Sequence, residues 1–342
     1  MFGKRGRNSA KLPFTNSDSF RLCTEGLQAL ERFERQASRA DLDVAEERLA
    51  KCVRLYPSDI VPKFYLGSVK TLVGYRGLNE AIALLADVVE QGPDELKPAA
   101  QYNLAVAHIE QYDDVGFSLA EGILKPLADN TRKGDLSVRR LAWSAQVNLL
   151  YIRAHRIWEH RWLKTDEDRA AADLIPALEH ALDDFFVTLE RSNFKSDADT
   201  LADYWNALGT LREAQANFVP EQRVHFGDQA KTAYNKALEY KSGWLDAKSN
   251  LARLYQEVLR DNVMARKLWL QVLQTRPDGH YAHYNLGLID QAEGKRDEAR
   301  DHFRKAAATI TKAADALKAM DDEDALLAKQ STHVEPNSNP SV

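Results

Sequence analysis

His283-Tyr284-Asn285-Leu286-Gly287, followed by Ala299-Arg300-Asp301-His302-Phe303 and then Ala306, is the stretch that decides the fold. The copy before it runs Leu251-Ala252-x2-Tyr255, then Ala265-x3-Trp269, Val272 and Pro277. The same few residue types return seven times along the 342 residues, at a period of 34 to 39. A unit that short cannot bury its own core and must stack on its neighbours, so the periodicity predicts a helical solenoid. The expected fold is all-α: a right-handed α-solenoid, or superhelix, of about seven antiparallel helix hairpins.

Further second-helix copies read Ala45-x3-Leu49-x7-Pro57, Ala81-x3-Leu85-x7-Pro93 and Ala230-x3-Tyr234. First-helix copies read Leu66-Gly67, Leu104-Ala105 and Trp205-x2-Leu208-Gly209. Gly67, Gly209 and Gly287 mark places where two helices cross too closely for a side chain. Ala45, Ala81, Ala230, Ala265 and Ala299 are the small residues of the opposing helices. Leu49, Leu85, Tyr234, Trp269 and Phe303 follow four residues later on the same face and fill the space toward the next hairpin. Pro57, Pro93 and Pro277 end second helices, since proline lacks the amide donor and clashes with the preceding turn.

Over roughly residues 20–320 this pattern resembles the tetratricopeptide-repeat (TPR) family, whose signature is W-x2-L-G-x2-Y, then A-x3-F, then P. The resemblance implies a non-catalytic scaffold or adaptor that binds a peptide or helix of a partner protein in the concave groove. In the family an Asn before the signature leucine often faces that groove and bonds the backbone of a bound peptide, being both donor and acceptor. Asn103, Asn250 and Asn285 hold that place here, and Arg253, Gln256, Tyr281, Tyr284 and Gln291 are expected along the same wall. The chaperone-tail branch of the family clamps a carboxylate with Lys and Arg. Those places are mostly neutral or acidic here, so a chaperone co-factor role is not expected.

The array divides into a disordered basic arm (1–18), TPR-like hairpins (19–131), an irregular long-helix hairpin (132–197), further TPR hairpins with a capping helix (198–320) and a disordered polar tail (321–342). Long helices are expected near 137–163 and 168–192, with Pro176 starting or kinking the second. An insertion at 218–228 is expected to lengthen the turn of the fifth hairpin. In the irregular part, Tyr151, His155, Trp158 and Trp162 share one helical face, while Arg153, Arg156, His160 and Lys164 share another. That arrangement supports an alternative function, a sensor of RNA or of a phosphate ligand through Arg153, Arg156, Trp158 and His160. Against it, residues 132–164 carry eight basic and two acidic side chains, whereas 166–191 carry eight acidic and two basic. Neighbouring helices so charged would neutralise each other and leave the aromatics as core.

A net charge of -5 gives no general affinity for nucleic acid or anionic lipid. No apolar run approaches the ~20 residues that span a bilayer. The two cysteines, Cys23 and Cys52, read as reduced apolar residues of a cytoplasmic protein. His280 and His283 are three residues apart on one face but lack further ligands at zinc spacing. Asp183-Asp184 and Asp321-Asp322-Glu323-Asp324 point around their helices as solvated charge. No phosphate-binding glycine loop or nucleophile elbow occurs, so the expectation is no enzyme, no catalytic residue, no cofactor and no metal.

Overall fold

The computed structural model describes residues 17–36, 38–111, 113–129, 136–160 and 165–332. Expectations for residues 1–16, for Arg132, Lys133, Arg161, Trp162 and Lys164, and for 333–342 lie outside them. The chain is an all-α solenoid, with sixteen α-helices among the described residues. Its hairpins pair α1 (Ser17–Gln36) with α2 (Arg39–Leu55), α3 (Ile60–Val73) with α4 (Tyr75–Gln91), and α5 (Lys97–Ile109) with α6 (Asp114–Ala128). Next come α7 (Leu136–Glu159), a short α8 (Asp166–Ala172) and α9 (Ile175–Glu190). The regular pattern resumes with α10 (Ala198–Phe218) and α11 (Arg223–Tyr240), α12 (Leu245–Glu257) and α13 (Asn262–Thr275), and α14 (His280–Ala292) and α15 (Arg296–Ala307). The last helix, α16 (Thr311–Thr332), lies on α15.

The repeat residues do what their spacing implies. Ala45, Ala81, Ala230, Ala265 and Ala299 are fully buried, as are Leu49, Leu85, Tyr234, Trp269 and Phe303. A β-carbon built on Gly67 would lie 2.7 Å from Leu85, one on Gly209 2.6 Å from Tyr234, and one on Gly287 2.6 Å from Phe303. Each glycine thus admits the large side chain of its own hairpin's second helix. Gly26 meets Leu49 in the same way at 2.7 Å, a first-hairpin copy that its unconventional flanks conceal.

Helix ends follow local chemistry. Asp113, Asp197 and Asp261 cap α6, α10 and α13 by accepting from the backbone N–H three residues on, which satisfies one of the orphan donors of a first turn. Gly294 has a φ of 74°, the left-handed conformation the tight α14–α15 turn requires.

Four expectations need correction. The long helix near 168–192 is two, because Pro176 lies in the first turn of α9, where proline needs no donor. The 218–228 insertion is not a loop: only a 3-10 turn at Pro220–Gln222 separates α10 from α11, and most of the added residues lengthen α11. The arm expected through residue 18 gives way to helix at Ser17. The tail expected from 321 instead continues α16 to Thr332, because Arg296 and Arg300 of α15 bind Asp321, Glu323 and Asp324. That acidic run anchors the cap.

Candidate functional site

The first helices of successive hairpins meet along the inner wall of the solenoid: α3 touches α5, α5 touches α7, α7 packs broadly on α10, and α10 touches α12. Of the asparagines expected to face a peptide there, two are spent between helices and one within its own helix. Asn250 is 4 % exposed; its amide donates to Asn206 Oδ1 at 3.0 Å and accepts from Arg253 at 3.1 Å. Asn285 is buried and donates to Tyr281 O at 2.8 Å. Asn103, half-buried, donates to Ser68 Oγ on α3 at 2.8 Å. Asn103 and Asn250 tie one hairpin to the one before, a structural use of the same donor–acceptor pair. Tyr281 is exposed with its edge on Trp269, and half-buried Tyr284 leans on Phe303.

Arg253, also assigned to the groove, belongs to a buried network instead. Glu213 is fully buried and accepts from Arg253 Nε and Nη2 at 2.8 and 2.9 Å, from Tyr234 Oη at 2.8 Å and from Trp158 Nε1 at 3.0 Å. The Arg253 guanidinium lies over the Trp158 ring, 3.9 Å from its centroid. Four helices, α7, α10, α11 and α12, are joined through this one carboxylate. Burial opposes the Arg253 charge, but Glu213 outweighs it and holds the guanidinium well above its ordinary range.

The same geometry corrects the nucleic-acid alternative. Tyr151, His155 and Trp158 are each under 9 % exposed and line the core, so Trp158 offers no ring for a base to stack on. Arg156 binds Glu121 of α6 at 3.0 Å, Arg153 is exposed and His160 half-buried. Arg140 reaches Asp197 and Asp199 at the start of α10; the acidic α9 instead gives Glu179 to Arg212 of α10. The charges expected to cancel between two neighbours are thus shared with α6 and α10.

His283 bonds His302 of α15 at 2.9 Å and the Pro277 carbonyl at 3.0 Å, whereas His280 bonds the Lys305 carbonyl. The two histidines, three residues apart on one face, thus turn to different partners. Among the described residues no cluster of His, Cys, Asp or Glu has the makings of a metal site.

A feature absent from the local sequence pattern defines the inner wall. The turn between α13 and α14 reaches back to the first hairpins. Arg276 Nε donates to Leu72 O of α3 at 3.2 Å, and its guanidinium approaches Glu110 at 3.6 Å and Asp246 at 3.8 Å. Arg39 donates to Thr275 O, and Arg76 pairs with Asp278. The superhelix is wound tightly enough that its far hairpins touch its near ones.

Inside this closure lies a cavity of about 70 Å³, walled by Val106 from α5 and Glu110 just beyond its end, Tyr151 from α7, Asp203 from α10, and Lys241, Trp244 and Asp246 around the α11–α12 turn. Asp203 is 7 % exposed, and its Oδ2 has no hydrogen-bond partner. Its Oδ1 is 3.8 Å from Lys241 Nζ, which is nearer Asp199 at 3.0 Å. Trp244 donates to Asp246 at 3.0 Å. Asp203 continues a stripe of buried polar residues along α10: Thr200, Asp203, Asn206, Thr210 and Glu213. Polar side chains at helical spacing on a face that ought to be apolar are the sequence signal that marks this wall.

Burial, reinforced by Asp199 and Asp197 and opposed by Lys241, pushes the Asp203 carboxyl up to about 6. Glu110 is likewise raised well above the carboxylate range, by burial first and then by Asp246, against Arg276. Asp199 is driven the other way: Lys241 and Arg140 overcome its burial and lower it. Tyr102, raised by burial and the nearby carboxylates, stays neutral. Between about pH 4 and the Asp203 value of about 6, the folded chain holds a proton that the unfolded chain has released. Stability contributed at this site therefore falls as pH rises through that window. Asp203→Asn should match wild type near pH 4 and exceed it by about 1–3 kcal/mol above pH 6. Urea unfolding at both pH values checks this; equal stability throughout contradicts it.

No family model and no curated protein matches the chain. Among solved structures it is similar to the TPR domain of P58(IPK), at 14 % identity and a TM-score of 0.27, over 93 % of this chain and 100 % of that one. At that degree of superposition the likeness carries no argument, and the fold rests on the repeat and its packing. Among the described residues no helix is long and apolar enough to cross a membrane.

Proposed function

We propose that this chain is a non-catalytic scaffold or adaptor, which binds a peptide or helical segment of a partner protein on the inner wall of its superhelix. The observation that carries the reading is the cavity to which α5, α7, α10 and α12 all contribute. A wall built from several hairpins recognises shape over a long segment, which is how solenoids bind. The contact set shifts accordingly. Buried Asn250 and Arg253 hold the wall together and Asn285 is spent on its own helix, while Trp244, Asp246 and exposed Tyr281 are placed to meet a ligand. Two fully buried thiols, Cys23 and Cys52, suit a reducing compartment, and the proposal places the protein in the cytoplasm.

A photo-crosslinking amino acid tests the assignment when placed at Trp244 on the inner wall or at Val263, an exposed residue of α13. Irradiation in the producing cells should yield a discrete protein adduct from position 244 and none of that mass from position 263. Identical adducts from both positions, or nuclease-sensitive adducts at 244, would contradict it.

A further inference from the structure

We propose that the cavity beside Asp203 is a binding site for one positively charged side-chain head, a lysine ammonium or arginine guanidinium, presented by a basic segment of the partner. This deepens the scaffold reading and rests on it, by naming the chemistry of the bound segment.

Among the described residues, three acidic side chains line the cavity, Glu110, Asp203 and Asp246, against one cation, Lys241. Burial keeps Glu110 protonated more readily than an ordinary carboxyl, while Asp197, Asp199, Arg140 and Arg276 form the ion pairs around this lining. The cations are committed elsewhere in the cluster: Arg140 to Asp197 and Asp199, Arg276 to Glu110 and Asp246, Lys241 first to Asp199. Asp203 is left with a 3.8 Å approach on one oxygen and nothing on the other. A buried carboxylate oxygen without a donor is costly, and this one lines a cavity.

The cavity has the matching shape and walls. About 70 Å³ admits the head of a long cationic side chain. Val106, Ile109 and the rings of Tyr151 and Trp244 offer apolar surface to its methylene stem. Trp244 already carries a cation near its ring, Lys241 Nζ at 5.0 Å from the centroid. An anionic ligand would meet Asp203 and Asp246 in the cavity wall, and an apolar one would leave Asp203 Oδ2 unpaired. A cation answers both.

The test uses the full chain with its aspartate carboxyl carbons labelled for NMR, and n-butylammonium as the probe. The signal missing from Asp203→Asn identifies the Asp203 carboxyl, and the rest of that spectrum reports that the variant is folded. The expected result is a saturable shift of the Asp203 signal across the millimolar range, no such shift with n-butanol, and affinity for n-butylammonium at least about tenfold weaker in Asp203→Asn. An unmoved signal, or equal response to the alcohol, overturns the proposal. The partner assignment has its own arm, because Lys4, Arg5, Arg7 and Lys11 precede the described residues without an acid among them. If changing those four to Gln in the full chain tightens probe binding, the site takes its cation from this chain, and the assignment to a partner falls. The probe experiment does not depend on partner capture. Its failure with a positive Trp244 crosslink removes only the cation site; the converse removes the scaffold reading and with it the partner as source of the cation, while the cation site itself stands.

Discussion

Replacing Glu213 by alanine should destabilise the chain by about 3–5 kcal/mol, the range for removing one partner of a buried ion pair. The size follows from what would be left behind. Arg253, itself 4 % exposed, would keep its charge with only Asn250 and the face of Trp158 for company, while Tyr234 and Trp158 would each lose an acceptor. Glu213→Gln should cost less, because the amide oxygen still accepts from Arg253 or Tyr234. A paired Glu213→Leu, Arg253→Met variant should recover much of the loss, since no unpaired charge remains. Urea unfolding of the three variants measures the series. A Glu213→Ala midpoint equal to wild type would mean that the network is not formed. Asn250→Ala should also cost stability, because Asn250 bridges Arg253 to Asn206.

The second large effect lies in the last hairpin. Gly287→Leu should cost about 1–3 kcal/mol, from overpacking a helix crossing. The first added carbon alone would sit 2.6 Å from a ring carbon of Phe303, which is fully buried and has nowhere to retreat. Either α14 and α15 separate or the ring leaves its rotamer. Either change is also felt by α16, which packs on α15. Gly287→Ala should show a smaller loss of the same sign. Thermal unfolding checks both, and a Leu variant that melts like wild type would contradict the placement of this crossing.

These two sites show what is legible in a sequence of this kind and what is not. The pairings Gly67–Leu85, Gly209–Tyr234 and Gly287–Phe303 follow from local spacing, because a repeat fixes which residue of one helix meets which of the next. The purpose of an asparagine does not follow. Asn250 has the same donor and acceptor whether it meets a peptide or Asn206, and only the packed neighbour decides. Trp158 likewise presents the same aromatic stripe whether it stacks on a base or lies under Arg253. Least legible was the closure. Arg276 meets Leu72 across 204 residues, and that meeting depends on the rotation accumulated over several hairpins. The cavity beside Asp203 depends on it as well, since Glu110 and Asp246 come from either side of the join.

The inner wall and its cavity both depend on closure of the superhelix, which an inter-spin distance measures. Arg76 and Asp278 face each other across the join, and the two natural thiols are buried, so Arg76→Cys with Asp278→Cys offers a specific pair of labelling sites. A pulsed electron spin resonance measurement on the labelled full chain should give one short, narrow distance distribution. A long or broad distribution would show that the ends stand apart, and the walled cavity would go with them.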